Sequence, residues 1–189
     1  ESIKNFSLTN NYISKKIDEC RINNFTIKNL NKFKLTNLNN LKILHVTNFN
    51  ERHNGRLFYN SGRRINNGFI RLNHSVLELS DRDIVSYSRN LNDFKGSKKL
   101  NEKLLDIISN YIPDLIVFGH ADLIDNETIK FIKKNYPNTK LCQWFLDRMD
   151  GEWIKNKDRF IKKIELMDAN FCTTDPKALN FSKFNNVYY

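Results

Sequence analysis

From Leu41 onward, short apolar runs alternate with amphipathic stretches of roughly 10–15 residues, a rhythm that predicts strands joined by helices. The run at 41–47 predicts the first strand, and a polar loop with Gly55 follows it. Ile65, Phe69 and Leu72 recur at helical spacing and predict a helix over 61–73 with those residues inward. A second strand is expected at 75–80, and 84–87 reads as a short strand or a turn. Leu100, Leu104, Ile107, Ile108 and Tyr111 share one face of a helix over 98–111, stopped by Pro113. Residues 114–119 form a continuous apolar run bounded by turn residues, as a strand covered on both faces requires. Asp125 is placed to cap the next helix, whose inner face is Ile129, Ile132 and Tyr136. Further strands are expected at 140–146 and 169–173, with a helix near 153–166 between them built on Ile154, Ile161 and Ile164. Pro176 opens a last helix to about Phe184, and 186–189 starts another strand. The pattern defines an α/β fold with a doubly wound, mostly parallel sheet and helices on both faces.

Residues 1–40 differ from this Rossmann-like region at 41–189. They hold clustered Asn and neither Gly nor Pro. Ile13, Ile17 and Cys20 suit one face of a short helix near 8–21, and the remainder reads as a linker or docking arm.

The chain has 189 residues, of which 40% are hydrophobic, enough for one good core. Its formal charge of +10 admits nucleic acid, anionic lipid or phosphorylated ligands as partners. The lysines are scattered, however, as at Lys133, Lys134, Lys162 and Lys163 on expected helix exteriors, so no nucleic-acid stripe is expected. Cys20, Cys142 and Cys172 are far apart and form no zinc or redox pattern, which fits a reducing cytoplasm. No run of about 18 apolar residues predicts a membrane span.

In a wound parallel sheet, ligands bind past the carboxyl ends of the strands. Each such loop here carries charge: Asn48 to Arg56, Asp81 to Asp83, Gly119 to Asp122, Asp147 to Gly151, and Asp175. Amides, carboxylates and guanidiniums together suit a polyhydroxylated or phosphorylated ligand. Several chemistries are absent: there is no GxGxxG after the first strand, no P-loop, no GxSxG and no HExxH, so neither a dinucleotide nor a metal is expected. His120 is either a general base or hydroxyl ligand, or a hydrogen-bonded loop histidine. His45 reads as core, His74 as a turn residue, and Trp144 as core rather than a stacking platform. Arg63 and Arg64 open a helix, where cations are unfavourable unless they face water or serve an anion.

Several segments in order, Lys42 to Val46, Gly62 to Val76, Pro113 to Asp122, Gln143 to Asp147 and Thr173 to Pro176, resemble the N-terminal half of GT-B glycosyltransferases of the family 4-like and spore-maturation-protein-like group. The likeness spans about 41–189. Asn73 stands where that group usually has Gly before His74, a replacement Asn tolerates because it accepts left-handed backbone. The resemblance implies an enzyme of two Rossmann-like domains. The second holds most contacts to a nucleotide-sugar donor and is missing here, so this fragment alone is expected to be inactive. The first shapes the site for a glycan or lipid-linked acceptor. No bound cofactor or metal is implied. By position, the resemblance sets Gly55, Arg63 and Asn67 near the diphosphate or acceptor, and Asp81, Arg82 and Asp83 on the acceptor side. His120, Asp122 and Asp147 become candidates for a base or hydroxyl contact, with Asp150 and Asp175 on neighbouring loops. A cytoplasmic protein with peripheral contact at the inner membrane face is the corresponding location. The alternatives are a non-catalytic, receiver-like ligand-binding module and a basic nucleic-acid-binding domain.

Overall fold

A computed structural model of the protein describes residues 40–91, 93–175, 178–181 and 183–189. The chain divides into two units between Leu38 and Asn39, and the described residues belong to the second. The helix expected near 8–21 and the linker after it lie outside the described residues.

Six parallel strands form one sheet: β1 (Lys42–Thr47), β2 (Ser75–Ser80), β3 (Leu115–Gly119), β4 (Lys140–Phe145), β5 (Ala169–Cys172) and β6 (Val187–Tyr188). Their order is β2-β1-β3-β4-β5-β6. The helices are α1 (Ser61–Arg71), α2 (Asp81–Ser88), α3 (Ser97–Tyr111), α4 (Asn126–Asn135) and α5 (Ile154–Ile164). The protein is thus α/β and doubly wound. Strand β3 is buried along almost its whole length, matching its unbroken apolar run, whereas β2, at the sheet edge, alternates between exposed and half-buried positions before its last two residues.

Helix α1 packs on one face of the sheet, with Phe69 against Ile43 and Val76. The opposite face carries the main core. There Leu44, Val46, Ile116, Phe118 and Leu141 meet Val85, Leu100, Leu104, Ile108, Ile129 and Ile132. Phe145 and Cys172 continue it against Phe160 and Ile164 of α5. The connection that crosses from β2 past β1 to β3 changes the direction of winding, so the carboxyl ends of β1 and β3 diverge there.

Six expectations change, one being that Ile154, expected on the inner face of the helix near 153–166, is exposed, its place in the core taken by Phe160. Residues 84–87 are helical, inside α2. Asp81 and Asp83 occupy its first turn, where the helix dipole favours them, and Val85 is drawn into the core. The inner face of α1 is rotated: its buried positions are Gly62 and Asn66, and Leu72 is exposed. Asn66 turns inward because its side chain meets the buried His45, at 3.1 Å from Nδ1. The described residues of 176–184 form turns rather than a helix. Leu179 donates its N–H to the Asp175 carbonyl, closing a single turn, and Asn180 at φ 57° then leads the chain away. Asp125 occupies the cap position of α4 without using its side chain, while its own N–H donates to Asn101. Lys163 is buried rather than exterior and donates to the Ile124 carbonyl and to Asn126. Asn73 is left-handed at φ 65°, and His74 accepts the Leu41 N–H, a structural use of both.

The far half of the sheet holds a buried amide network. Gln143 donates to Asn170 Oδ1 at 2.7 Å, and Asn170 donates to the carbonyls of Ile164 and Asn186. Asn186 in turn donates to Ile164 and Met167 carbonyls, both at 2.9 Å. It ties β4, β5 and the approach to β6 to the end of α5. No helix among the described residues is long and apolar enough to cross a membrane.

Candidate functional site

Where β1 and β3 diverge, the structure has a cleft of about 230 Å3. Thr47 and Asn48 leave β1 into it, and Gly119 and His120 leave β3. The start of α1, Asn60 to Gly62, forms one wall together with Asn50. Asp81 and Arg82 at the start of α2 form another, and Trp144, Leu146 and Asp147 after β4 complete it.

Two glycines permit this close approach. A Cβ on Gly62 would meet Thr47 Cγ2 at 2.8 Å, and one on Gly119 would collide with Thr47 Oγ1 and meet Trp144 Cζ2 at 2.5 Å. Both pack against Thr47, so the α1 terminus, β1, β3 and the Trp144 indole lie in van der Waals contact at the cleft floor. Asn60 caps α1 by accepting the Arg63 N–H at 2.8 Å.

Asp81 and Asp83 lie on one helical turn and are both almost fully buried, yet they serve differently. Asp83 accepts from Glu51 N–H at 2.7 Å, Arg52 N–H at 3.4 Å, Arg52 Nη1 at 2.7 Å and the Ser80 hydroxyl at 2.5 Å. Burial pushes its carboxyl up, but these donors together outweigh burial and hold it below the ordinary range. Asp83 therefore anchors the loop after β1 and does not line the cleft. Asp81 accepts the Arg82 N–H at 2.6 Å. Burial raises its carboxyl to about 6, against the opposing Arg82 charge. A carboxyl at a cleft wall that changes protonation near neutral pH can accept or return a proton, or hold a hydroxyl in either state.

Arg82 lines the cleft while forking onto Asp122 at 2.8 and 2.9 Å. Arg159 reaches the same carboxylate at 2.6 Å. Asp122 is thus shared by two guanidiniums and lies in a neighbouring groove, not in the cleft. His120 is left-handed at φ 64°, an uncommon conformation for a non-glycine residue. Its ring stacks on Phe145 at 4.4 Å and meets Trp144 edge-on at 5.4 Å. Nδ1 stands 3.6 Å from Asp147, and Leu146 N–H points at Nε2 from 3.5 Å. Burial lowers the His120 pKa, with Asp147 and Asp122 opposing the shift. The ring is therefore neutral at pH 7 and can take up a proton that Asp147 would stabilise.

Trp144 is held from behind. Its indole N–H donates to His45 Nε2 at 3.4 Å. His45 Nδ1 lies 3.1 Å from Asn66 Oδ1, Asn66 donates to Glu78 at 2.6 Å, and Glu78 accepts from Arg63 at 2.5 Å. Burial pushes His45 down to about 4, the Asn66 bond only partly offsetting it, so His45 stays neutral and keeps its acceptor nitrogen for Trp144. Arg63 also lies over the Phe49 ring at 4.7 Å. Arg63 is thus committed to the β2 edge rather than to the cleft, although it belongs to the helix that forms the cleft wall.

Of the sequence-predicted residues, Asp81, Arg82, His120 and Asp147 are brought together at the cleft. Gly55 sits at an exposed loop tip with φ 82°, Asn67 is exposed on α1, and Asp150 pairs with Arg148 at the surface. Asp175 is exposed after β5. None of these four lines the cleft. Sequence reasoning missed Asn60 and Trp144 as lining residues and gave Asn50, which it placed in the loop after β1, no role of its own. Asn50 and Asn60 flank the polar loop after β1, but so Asn-rich a chain hides them. Trp144 reads as core because it lies within a strand. Among the described residues no group of three or more His, Cys, Asp or Glu is placed to hold a metal ion.

No protein-family model matches this chain, and neither curated proteins nor solved structures show a match to it.

Proposed function

We propose that this chain is the acceptor-side domain of a nucleotide-sugar-dependent glycosyltransferase of the GT-B type, acting in cell-surface glycan synthesis. The observation that carries the reading is the composition of the cleft at the β1–β3 divergence. Amides of Asn48 and Asn50 line the cleft with donors and acceptors, and Asp81, Asp147 and His120 add further polar groups, while the Asn60 amide is spent on capping α1 and on the Phe49 and Leu57 carbonyls. Trp144 supplies an aromatic wall. A sugar, with adjacent hydroxyls and an apolar ring face, satisfies such a surface; a planar apolar ligand would leave its amides unpaired. In this reading the donor is a nucleotide sugar held mainly by a second Rossmann-like domain, with no resident cofactor, and the acceptor is a glycan or a lipid-linked sugar. The protein works in the cytoplasm with peripheral contact at the membrane.

For transfer with inversion, the accepting hydroxyl loses a proton as it attacks. Asp81 is suited to take it, because its pKa of about 6 keeps most of it ionised at pH 7 while leaving it basic. His120, steadied by Asp147, is the second acceptor. A receiver-like module fits less well: its acidic pair directly after the first strand is replaced here by Asn48 and Asn50.

A glycan array probed with the 189-residue chain tests the reading. Retention of a defined set of glycans, abolished by Asp81→Asn, is the expected result. Equal retention by the parent chain and the variant, or no retention by either, would refute it.

A further inference from the structure

Beside the cleft runs a second, larger depression of about 790 Å3. Arg82 lines both, so the two cavities share one guanidinium. Their chemistry differs. Among the described residues Arg82 is the only cation of the cleft lining, whereas the groove gathers Arg52, Arg82, Arg89 and Lys95 against Asp122 and Asp125.

Including the groups that hold these side chains leaves the excess of cations unchanged, because Arg159 on Asp122 and Asp83 on Arg52 offset one another. Asp122 is already shared between Arg82 and Arg159, the latter adding a further positive charge at 2.6 Å. Arg52 is fixed by Asp83 at 2.7 Å. Two guanidiniums are thus held in place by buried or half-buried carboxylates before any ligand arrives, which reduces the ordering cost of binding. Arg89 and Lys95 are exposed and make no ion pair among the described residues. Ser86 and Ser97 add hydroxyls, and the exposed Phe94 gives one side an apolar surface.

We propose that this groove binds the phosphate of a phosphorylated acceptor, a sugar phosphate or a phosphate-linked lipid, while the sugar occupies the cleft. The inference rests on the acceptor reading of the cleft and specifies the acceptor as anionic. Hydroxyls go to the amide-lined cleft, and the charged group goes past Arg82 to the fixed guanidiniums, which match phosphate oxygens in pairs. Arg89 and Lys95 supply the mobile part of the contact.

The test is calorimetric titration of the 189-residue chain with inorganic pyrophosphate at low and high salt. It is repeated on an Arg89→Gln, Lys95→Gln double variant, whose altered side chains are exposed and outside the core. Saturable binding is expected, weakened at least about tenfold in the variant and again by salt. No binding, or the same affinity in parent and variant, overturns the proposal. Two further arms separate the sources. Glucose 1-phosphate binding more tightly than glucose identifies a soluble sugar phosphate. Sedimentation with phosphatidic acid vesicles but not phosphatidylcholine vesicles identifies a lipid-borne one. Charged and neutral probes binding alike in both arms overturns the assignment. Pyrophosphate binding by a chain that retains no glycan would keep the groove and remove the acceptor-sugar reading. A retained glycan with no phosphate preference would do the reverse.

Discussion

The two halves of the sheet bury polar groups in opposite ways. Across β4, β5 and the approach to β6, Gln143, Asn170 and Asn186 bond to one another and to carbonyls at the end of α5. Nothing in that network ionises near neutral pH, and Gln143 and Asn170 are essentially without solvent contact. At the carboxyl ends of β1 and β3 the buried polarity is ionisable, faces a cavity and is shifted from its ordinary pKa, as Asp81 and His120 show. Buried polar groups alone therefore say little about function. A network closed on itself specifies packing, and one that ends at a cavity leaves chemistry available for a ligand.

Substitutions in the two regions should separate stability from binding. The largest effect on folding is expected for Asn170→Leu, which removes the Asn170 acceptor of Gln143 and the side-chain donor to the Ile164 and Asn186 carbonyls. A loss of about 3 kcal/mol corresponds to a fall of roughly 6–12 °C in the thermal midpoint, with the glycan affinity of the folded protein unchanged. A parallel loss of affinity would erase the distinction. Asp81→Asn should do the opposite. In the parent chain the folded state holds the Asp81 proton up to about pH 6, whereas the unfolded chain releases it near 3.8. Stability therefore falls by about 3 kcal/mol as pH rises between those values. The variant should lack that fall, as measured by urea denaturation at pH 4 and pH 7, while glycan affinity drops about thirtyfold through loss of a charged hydrogen bond.

Asp83→Asn sharpens the comparison within one helical turn. Asp83's carboxyl is held low, so its contribution is present at neutral pH and fades as acid protonates it. A cost of about 1–2 kcal/mol at pH 7, shrinking on acidification below 3.8, is expected in the same denaturation series. An unchanged cost at low pH would place the effect in packing instead. The smallest effect is expected for Trp144→Phe, which keeps an aromatic wall but drops the donor to His45. A loss of about 1 kcal/mol or less in stability should accompany a modest weakening of glycan binding by calorimetry.

Much of the scaffold is legible in the amino-acid pattern because strands covered on both faces are largely apolar, as β3 is throughout and β4 is apart from Lys140 and Gln143. Helix α2 escapes that logic. Ile84, Val85 and Tyr87 favour strands by propensity, but the carboxylates in the first turn and the packing of Val85 under α3 decide for a helix. At the site, the rule about strand ends brings His120, Asp147, Asp81 and Arg82 together from sequence. It does not tell Asp81 from Asp83, because that difference arises from the loop after β1 folding back onto Asp83. Nor does it reveal that Arg63 is drawn to Glu78, fifteen residues later on the edge strand. Trp144 and the flanking asparagines are invisible for different reasons: the indole looks like core, and amides are common throughout the chain.

The central claim is that the cleft at the β1–β3 divergence is where a carbohydrate binds. A Trp153→Phe chain leaves Trp144 as the sole indole, and its fluorescence can be followed while a glycan retained on the array is added. A saturable change in emission with the calorimetric affinity, shifted about thirtyfold to higher glycan concentration in the Asp81→Asn background, is the predicted result. Glycan binding that leaves the Trp144 emission unmoved would contradict the account.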